Sequence, residues 1–578
     1  MKHFFTHTAR LFSAATILLA ILLIPAHSTS QENNSLKKRE IHERLETAGD
    51  KYLPANAHKV TSPGYRLDGS LFYTVQVNVD ENGDNIEGDA ANEPSIAIDP
   101  VNPDRMVIGW RQFDNVNSNF RQAGYGYTVD GGDSWTFPSV IEPGIFRSDP
   151  VLGSDAQGNF YYNSLTYDGG NNYWCDVYRI EDGGNEWDDG VYAQGGDKQW
   201  MIIDQTEGKG AGNIYAYWTV DYSICGYYNF TRSVNGGNSY EDCVYVTDEP
   251  HWGTLDYNDD GDLYVCGAQG WWGGGFVVAK STYAKDSTFS VFWDFATSVN
   301  LGGYSTSGAP INPQGLVGQA WVAVDRSGGE TNGNVYLLCS VETYSGDPAD
   351  VMFTRSEDGG LTWSSPIRVN KDNSSNNYQW FGTMSVAPNG RIDVVWLDTR
   401  GASFGSYNSA LYYSYSIDGG YTWSEDEQLS DEFDPKIGYP NQDKMGDYFH
   451  MISTEDHAHL AWANTLNGEE DVYYGRITPW FVGIDKKFGE KGNQLSLLNY
   501  PNPTNGVTTI RYQLPEKNNT KLFVFDVYGK LVRELVNQEQ DAGMHNIQFD
   551  ASNLPEGVYY CKLTSGNKMS SSKLVVGN

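Results

Sequence analysis

Positive charge is scarce in this chain. It carries 39 Lys and Arg against 74 Asp and Glu, a formal net charge of −35. Such a surface repels a phosphate backbone, which excludes nucleic-acid binding as a function class. Otherwise the acidity speaks only to solubility. Cysteine is scarce too, and six in 578 residues do not make a disulfide scaffold. They form no C-x-x-C and no Cys/His cluster, so no metal site of that kind is expected. Beyond the first 25 residues no long apolar run occurs. No phosphate loop, dinucleotide fingerprint, G-x-S-x-G or H-E-x-x-H is present, and no cofactor is expected.

The one apolar run has a secretory pattern. Lys2 and Arg10 supply positive charge, Leu11 to Pro25 the apolar stretch, and Ala26-His27-Ser28 a small-x-small cleavage site. Residues 1–28 therefore read as a signal peptide. The run is too short to span a bilayer comfortably, so the mature chain is expected to be exported without a transmembrane anchor. Residues 29–70 read as a linker, with a short helix from Lys37 to Tyr52. Cys225 and Cys243 bracket one turn almost symmetrically, and in an exported protein a disulfide between them is expected. Cys266 and Cys339 lie in apolar runs and read as buried packing residues.

What the chain has in abundance is turn formers and rings: 63 Gly, 39 Tyr and 17 Trp. With few helical patterns, this favours an all-β fold. One turn is written five times. Ser356-Glu357-Asp358-Gly359-Gly360-Leu361-Thr362-Trp363 and Ser416-Ile417-Asp418-Gly419-Gly420-Tyr421-Thr422-Trp423 are the cleanest copies. Thr128 to Trp135 is a third; Asp182 to Trp187 and Ser233 to Tyr240 are degraded. The Asp or Asn side chain accepts backbone N–H bonds within the turn, the Gly pair takes positive φ, and the ring folds back as an apolar plug.

This pattern, S-x-D-x-G-x-x-W, resembles the Asp-box of the sialidase-like β-propellers, the sialidase/BNR-repeat class. The resemblance implies a secreted propeller over residues 71–480, in which the Asp-box is a structural turn shared by unrelated activities. The spacing counts the modules. Asp130, Asp182 and Asn235 lie 52 and 53 residues apart, Asn235 to Asp358 is 123, and Asp358 to Asp418 is 60. Seven four-stranded modules follow, with a missing box in module four near Ala279 to Thr288. If one module is an insertion the count is six, which is the number in catalytic sialidases. Residues 71–79 read as a strand that closes the ring.

After a linker at 481–494, residues 495–578 read as a small Ig-like β-sandwich. Asn499-Tyr500-Pro501-Asn502-Pro503, Phe525-Asp526-Val527-Tyr528-Gly529-Lys530 and Leu554-Pro555-Glu556-Gly557-Val558-Tyr559 closely resemble the C-terminal sorting domain of type IX secretion. That implies export across an outer membrane, with the secretion machinery as a partner, and release or surface attachment. An ordinary accessory domain is the alternative.

Blade geometry places the start of strand one and the strand two-to-three loop on one face, opposite the Asp-boxes. Strand-one starts bring Glu93, Arg147, Asp149, Asp197, Lys198, Trp200, His251, Trp380, Lys444, Asp447 and Tyr448 to that face. Strand-two ends bring Arg111, Tyr222, Trp271, Trp272, Glu342, Asp398 and Arg400. Rings with carboxylates and guanidiniums suit an extracellular glycan or polysaccharide; the same residues also suit a solvated rim that ties blades together. The sialidase resemblance implies three arginines on a substrate carboxylate, for which Arg111, Arg147 and Arg400 stand. It further implies a Tyr nucleophile (Tyr448 or Tyr222), a Glu helping it (Glu342) and an Asp acid/base (Asp149). Trp200, His251, Trp380, Asp398 and Asp447 complete the expected substrate site. The family's F/Y-R-I-P motif is absent; Tyr65-Arg66-Leu67-Asp68 does not match it. A glycoside hydrolase leads, a non-catalytic glycan- or protein-binding propeller is the second reading, and a lyase using His251 or Tyr448 as base the third. Asn258-Asp259-Asp260-Gly261-Asp262 and Asp80-Glu81-Asn82-Gly83-Asp84 are read as hairpin turns before calcium loops.

Overall fold

The computed structural model describes residues 50–577 except 56–59, 171, 182–185, 221, 270–274, 480–494, 501, 503, 505 and 567. The signal peptide, most of the expected helix at 37–52, the linker, one degraded Asp-box, Trp271 and Trp272 lie outside the described residues. Among the described residues there is no helix, and every paired strand is antiparallel.

Among the described residues, seven sheets of three to five strands follow one another between Arg66 and Ile477, besides two two-stranded ribbons. The first runs Ala90–Ile98, Met106–Phe113, Gln122–Thr128 and Thr136–Ile141, each strand paired with the next. The sixth repeats this with Gln379–Val386, Ile392–Asp398, Ala410–Ser416 and Glu427–Gln428. The seventh is made from both ends of the run. Its strands His450–Ser453, Ala458–Asn464 and Asp471–Ile477 are completed by Phe72–Gln76, with Phe72 opposite Ile477. The strand expected at 71–79 thus stands at Phe72–Gln76 and completes the last sheet.

First and second strands are apolar on both faces because both faces are buried. Ser95-Ile96-Ala97-Ile98 and Met106-Val107-Ile108-Gly109-Trp110 have no exposed residue. Fourth strands such as Thr136–Ile141 are largely exposed and carry polar residues. First strands touch in cyclic order, and hydrogen bonds join each sheet to the next, with Ser340 lying in a second strand and Thr219 just after one. The Leu152 amide donates to Ser95 Oγ, Gln199 Nε2 to the Asp149 carbonyl, and the Trp252 amide to Thr219 Oγ1. Val322 then donates to Thr254 Oγ1, Gly382 to Ser340 Oγ, and Ser453 to Ser385 Oγ. The order returns to its start where His450 Nδ1 meets Ser95 Oγ at 2.9 Å.

The repeated turns behave as their chemistry requires. Asp130 accepts the Ser134 amide and the Thr128 hydroxyl, and Asp358 and Asp418 accept Thr362 and Thr422 in the same way. The ring, however, plugs a gap between sheets rather than its own hairpin. Trp135 packs on Tyr474 at 5.3 Å and Trp423 on Phe353 at 5.1 Å, each in the preceding sheet. The second Gly of the box is needed for that approach. A Cβ on Gly420 (φ +81) would lie 2.2 Å from the Phe353 ring. In the fourth sheet the box is replaced by residues 282–294, which join Phe276–Ser281 to Phe295–Val299.

Cys225 and Cys243 form a disulfide with Cα atoms 6.1 Å apart, and Cys175, Cys266, Cys339 and Cys561 are free and buried. Residues 495–577 make two further sheets, of three and four strands, that share one core including Ile510, Tyr512, Leu522, Val524 and Leu563. Asp526 accepts the Tyr528 and Lys530 amides, so the Phe525-to-Lys530 stretch is the tight turn its sequence indicates.

Candidate functional site

The starts of the first strands share one backbone feature. Glu93, Asp149, Lys198, Trp252 and Phe381 each stand two or three residues before their strand resumes, and each has φ between 49° and 56°. Positive φ is costly for residues with a Cβ and is kept only where surroundings enforce it. The cause is local in two of them. Pro94 and Pro150 follow Glu93 and Asp149 and offer no N–H to the ladder, so the strand bulges there.

Three of these strained residues carry charge, and they meet. Glu93 lies 3.2 Å from Arg111 and 3.1 Å from Lys444. Lys444 also holds Asp447 at 2.7 Å, and Asp447 holds Lys198 at 2.9 Å. Lys198 in turn faces Asp197 at 3.3 Å and Asp149 at 3.6 Å. Four carboxylates and three cations from the first, second, third and seventh sheets thus form one layer, with side chains no more than 3% exposed. One proton on a carboxyl makes the layer neutral. Burial, reinforced by Asp447 and Asp149 and opposed by Arg111 and Lys444, pushes Glu93 up to about 8, so Glu93 is the member of the layer best suited to carry a proton.

Beneath the layer lies an aromatic stack. Trp200 contacts Trp321 at 5.0 Å, Tyr448 at 5.3 Å and His450 at 5.1 Å, and His450 stacks on Trp321. Burial lowers His450 to about 3, so it is neutral and bonds Ser95. Above the layer, a hairpin of Ser307–Ala309 and Asn312–Leu316 reaches the seventh sheet. The Leu316 amide donates to Asp447 Oδ1 at 2.7 Å, and Asn312 bonds the Gly446 carbonyl and the Met445 amide.

Several expected roles change in this geometry. The three arginines do not share a group, because each is held by its own acids. Arg111 has Glu93, Asn92 and Gln442; Arg147 has Glu142 and Asp176; Arg400 has Asp398 and Asp426. Tyr448 is buried, its hydroxyl donates to the Pro150 carbonyl at 2.8 Å, and its pKa is pushed well above the ordinary value by burial and by Glu93 and Asp149. The acids facing it are therefore Glu93 and Asp149. Glu342 instead stands across from Tyr304, where its charge bears on Tyr378.

Trp200 and Trp380 are core rings rather than open platforms; Trp380 is fully buried and bonds Ser409 Oγ. His251 is buried 3.8 Å from Glu249. Asp398 accepts from Trp396, Gln379 and Arg400. Arg111, Asp149 and Asp447 are the expected site residues that join the layer. Glu93, Lys198 and Lys444, read from sequence only as face residues, are its centre. A charge two positions before an apolar strand, followed by Pro at Glu93 and Asp149, was the available signal.

Residues 499–577 match the family model described as the secretion system C-terminal sorting domain. This domain marks the chain for export through type IX secretion to the cell surface or beyond. Among the described residues no helix is long and apolar enough to cross a membrane. No curated protein matches the chain. Among solved structures, a protein of unknown function from Dyadobacter fermentans aligns at 12% identity over 70% of this chain and 97% of its own, TM-score 0.41. Trypanosoma rangeli sialidase aligns at 10% identity over 89% of each chain, TM-score 0.38. An ulvan lyase of a new polysaccharide lyase family aligns at 12% identity over 68% of this chain and 94% of its own, TM-score 0.36. At such scores these likenesses assign no activity.

Proposed function

We propose that residues 71–480 form a seven-bladed propeller that acts on extracellular carbohydrate, and that the C-terminal sandwich supplies only its address. The cyclic order of first-strand contacts supports the propeller. The chemistry proposed is acid–base cleavage of a glycan, with Glu93 as the acid, Asp149 as its partner carboxylate, and Arg111, Lys198 and Lys444 as the cations that set the charge around them. The observation that carries this reading is the meeting of three strained, buried, charged residues from successive sheets. Strain and perturbed titration concentrate where function demands them.

The test is turnover of sialosides and anionic polysaccharides by the secreted protein, read both as new reducing ends and as absorbance of unsaturated uronic ends. Reducing ends without the absorbance, abolished in Glu93→Gln, are expected. Turnover undiminished in that variant, or none on any polymer, defeats the proposal. The burial of the whole layer favours a second reading, a non-catalytic binding propeller whose charged layer only ties the sheets together. Binding without turnover supports it.

A further inference from the structure

The fourth sheet lacks the Asp-box, and what replaces it is built differently from a loop left to solvent. Arg232, 1% exposed and in the third sheet, donates to the carbonyls of Tyr283, Ala284, Asp286 and Phe289. Glu241 holds its Nε at 2.8 Å. Ser281 Oγ donates to the Phe292 carbonyl, and Trp293 packs on Phe230 while its Nε1 donates to the Tyr245 carbonyl. The buried Ala284 and the half-buried Trp293 therefore do the packing between sheets.

Three rings of the same loop take no part in that packing. Tyr283, Phe289 and Phe292 are 37%, 51% and 59% exposed, and Tyr283 meets the other two edge-on at 5.8 and 5.9 Å. Tyr283 and Phe289 border a concavity of about 320 Å3 that is also lined by Lys209, Asp260, Thr282, Lys285 and Asp286. The volume is at the lower end of small-ligand sites. Its lysines are already paired: Lys209 with Asp286 at 2.6 Å, and Lys285, together with Lys280, with Asp262 at 2.5 and 2.9 Å. No net positive charge is left to select an anion. Fixed rings beside ion pairs that offer both donors and acceptors suit the apolar face and hydroxyls of a sugar.

We propose that this concavity, at the strand ends opposite the charged layer, binds a neutral pyranose of an extracellular glycan. It is a second site, independent of the chemistry assigned to Glu93.

Native electrophoresis of the full secreted chain through gels containing galactomannan, xyloglucan or mixed-linkage β-glucan tests this. Retardation relative to a plain gel is expected in at least one polymer. Tyr283→Ala and Phe289→Ala should each weaken it about tenfold at unchanged melting temperature. Lys209→Ala, a change on an exposed side chain, should weaken it severalfold, and Glu93→Gln should leave it intact. Migration unaltered in all three polymers overturns the proposal. So does retardation that survives both ring variants, or that Glu93→Gln alone removes, since the sugar would then occupy the other face.

Discussion

Lys198 and Asp447 form a 2.9 Å ion pair although they enter from the third and seventh sheets. With Lys444 the pair links both sheets to the first, since Lys444 bonds Asp447 and Glu93 together. The charged layer is thus a joint between distant parts of the chain as well as a candidate site.

Removing one of its cations should be severe. Lys444→Met leaves Glu93 and Asp447 buried with less compensation, and breaking a buried pair from one side costs about 3–5 kcal/mol. Denaturant unfolding should show a loss of that order. A loss below about 1 kcal/mol, the range of exposed pairs, would mean the layer is hydrated.

Stability should fall as pH rises toward 8. Glu93 and Asp471 are raised to about 8 and about 7, in both cases chiefly by burial. Between the unfolded carboxylate range and those values, the folded state holds protons that the unfolded state has lost. Stability from these groups is therefore full below about pH 4 and is lost as pH climbs through 7 and 8, at no more than ~1.4 kcal/mol per unit per group. Melting temperature followed from about pH 5 to 8 should decline in the wild type. Glu93→Gln should flatten the profile, and an identical slope in the variant would refute the assignment.

The Asp-box glycines should not be equivalent. Gly420→Ala meets both the positive φ and the Phe353 ring, whereas a Cβ on Gly236 (φ +68) meets nothing within 4 Å. Gly236→Ala should cost about 1–2 kcal/mol from backbone strain alone. Gly420→Ala should cost about 1–3 kcal/mol more through overpacking. Equal losses in paired unfolding curves would show that the box does not seat on its neighbour.

The disulfide closes an 18-residue separation. Replacing Cys225 and Cys243 by Ser should lower stability by about 3 kcal/mol. Thiol labelling of the native protein should leave all six cysteines unmodified, two bonded and four buried. Rapid labelling of two thiols without reductant would contradict the bond.

Much of the fold was legible because it rests on short-range patterns. The Asp-box needs only neighbours in the chain to form, so Asp358 and Asp418 announce their hairpins directly. Alternation and apolar runs mark the strands between them, and Phe525 to Lys530 marks its turn in the same way. The site was less legible. Asp149 and Asp447 could be placed on one face by counting strands. Nothing local to Tyr448 says that its acids are Glu93 and Asp149 rather than Glu342. Nothing local to Arg147 and Arg400 says that Asp176 and Asp426 hold them.

The sequence by itself therefore determined an exported, all-β chain with a repeated hairpin module and a sorting domain, because composition, signal and turn chemistry act over a few residues. Only the tertiary structure decided which charges meet, which rings are buried and which stay open. Those outcomes depend on how separate sheets dock. Burial, which suits Glu93 to carry a proton and leaves Tyr283 and Phe289 at the surface, is a property of that docking and has no local code.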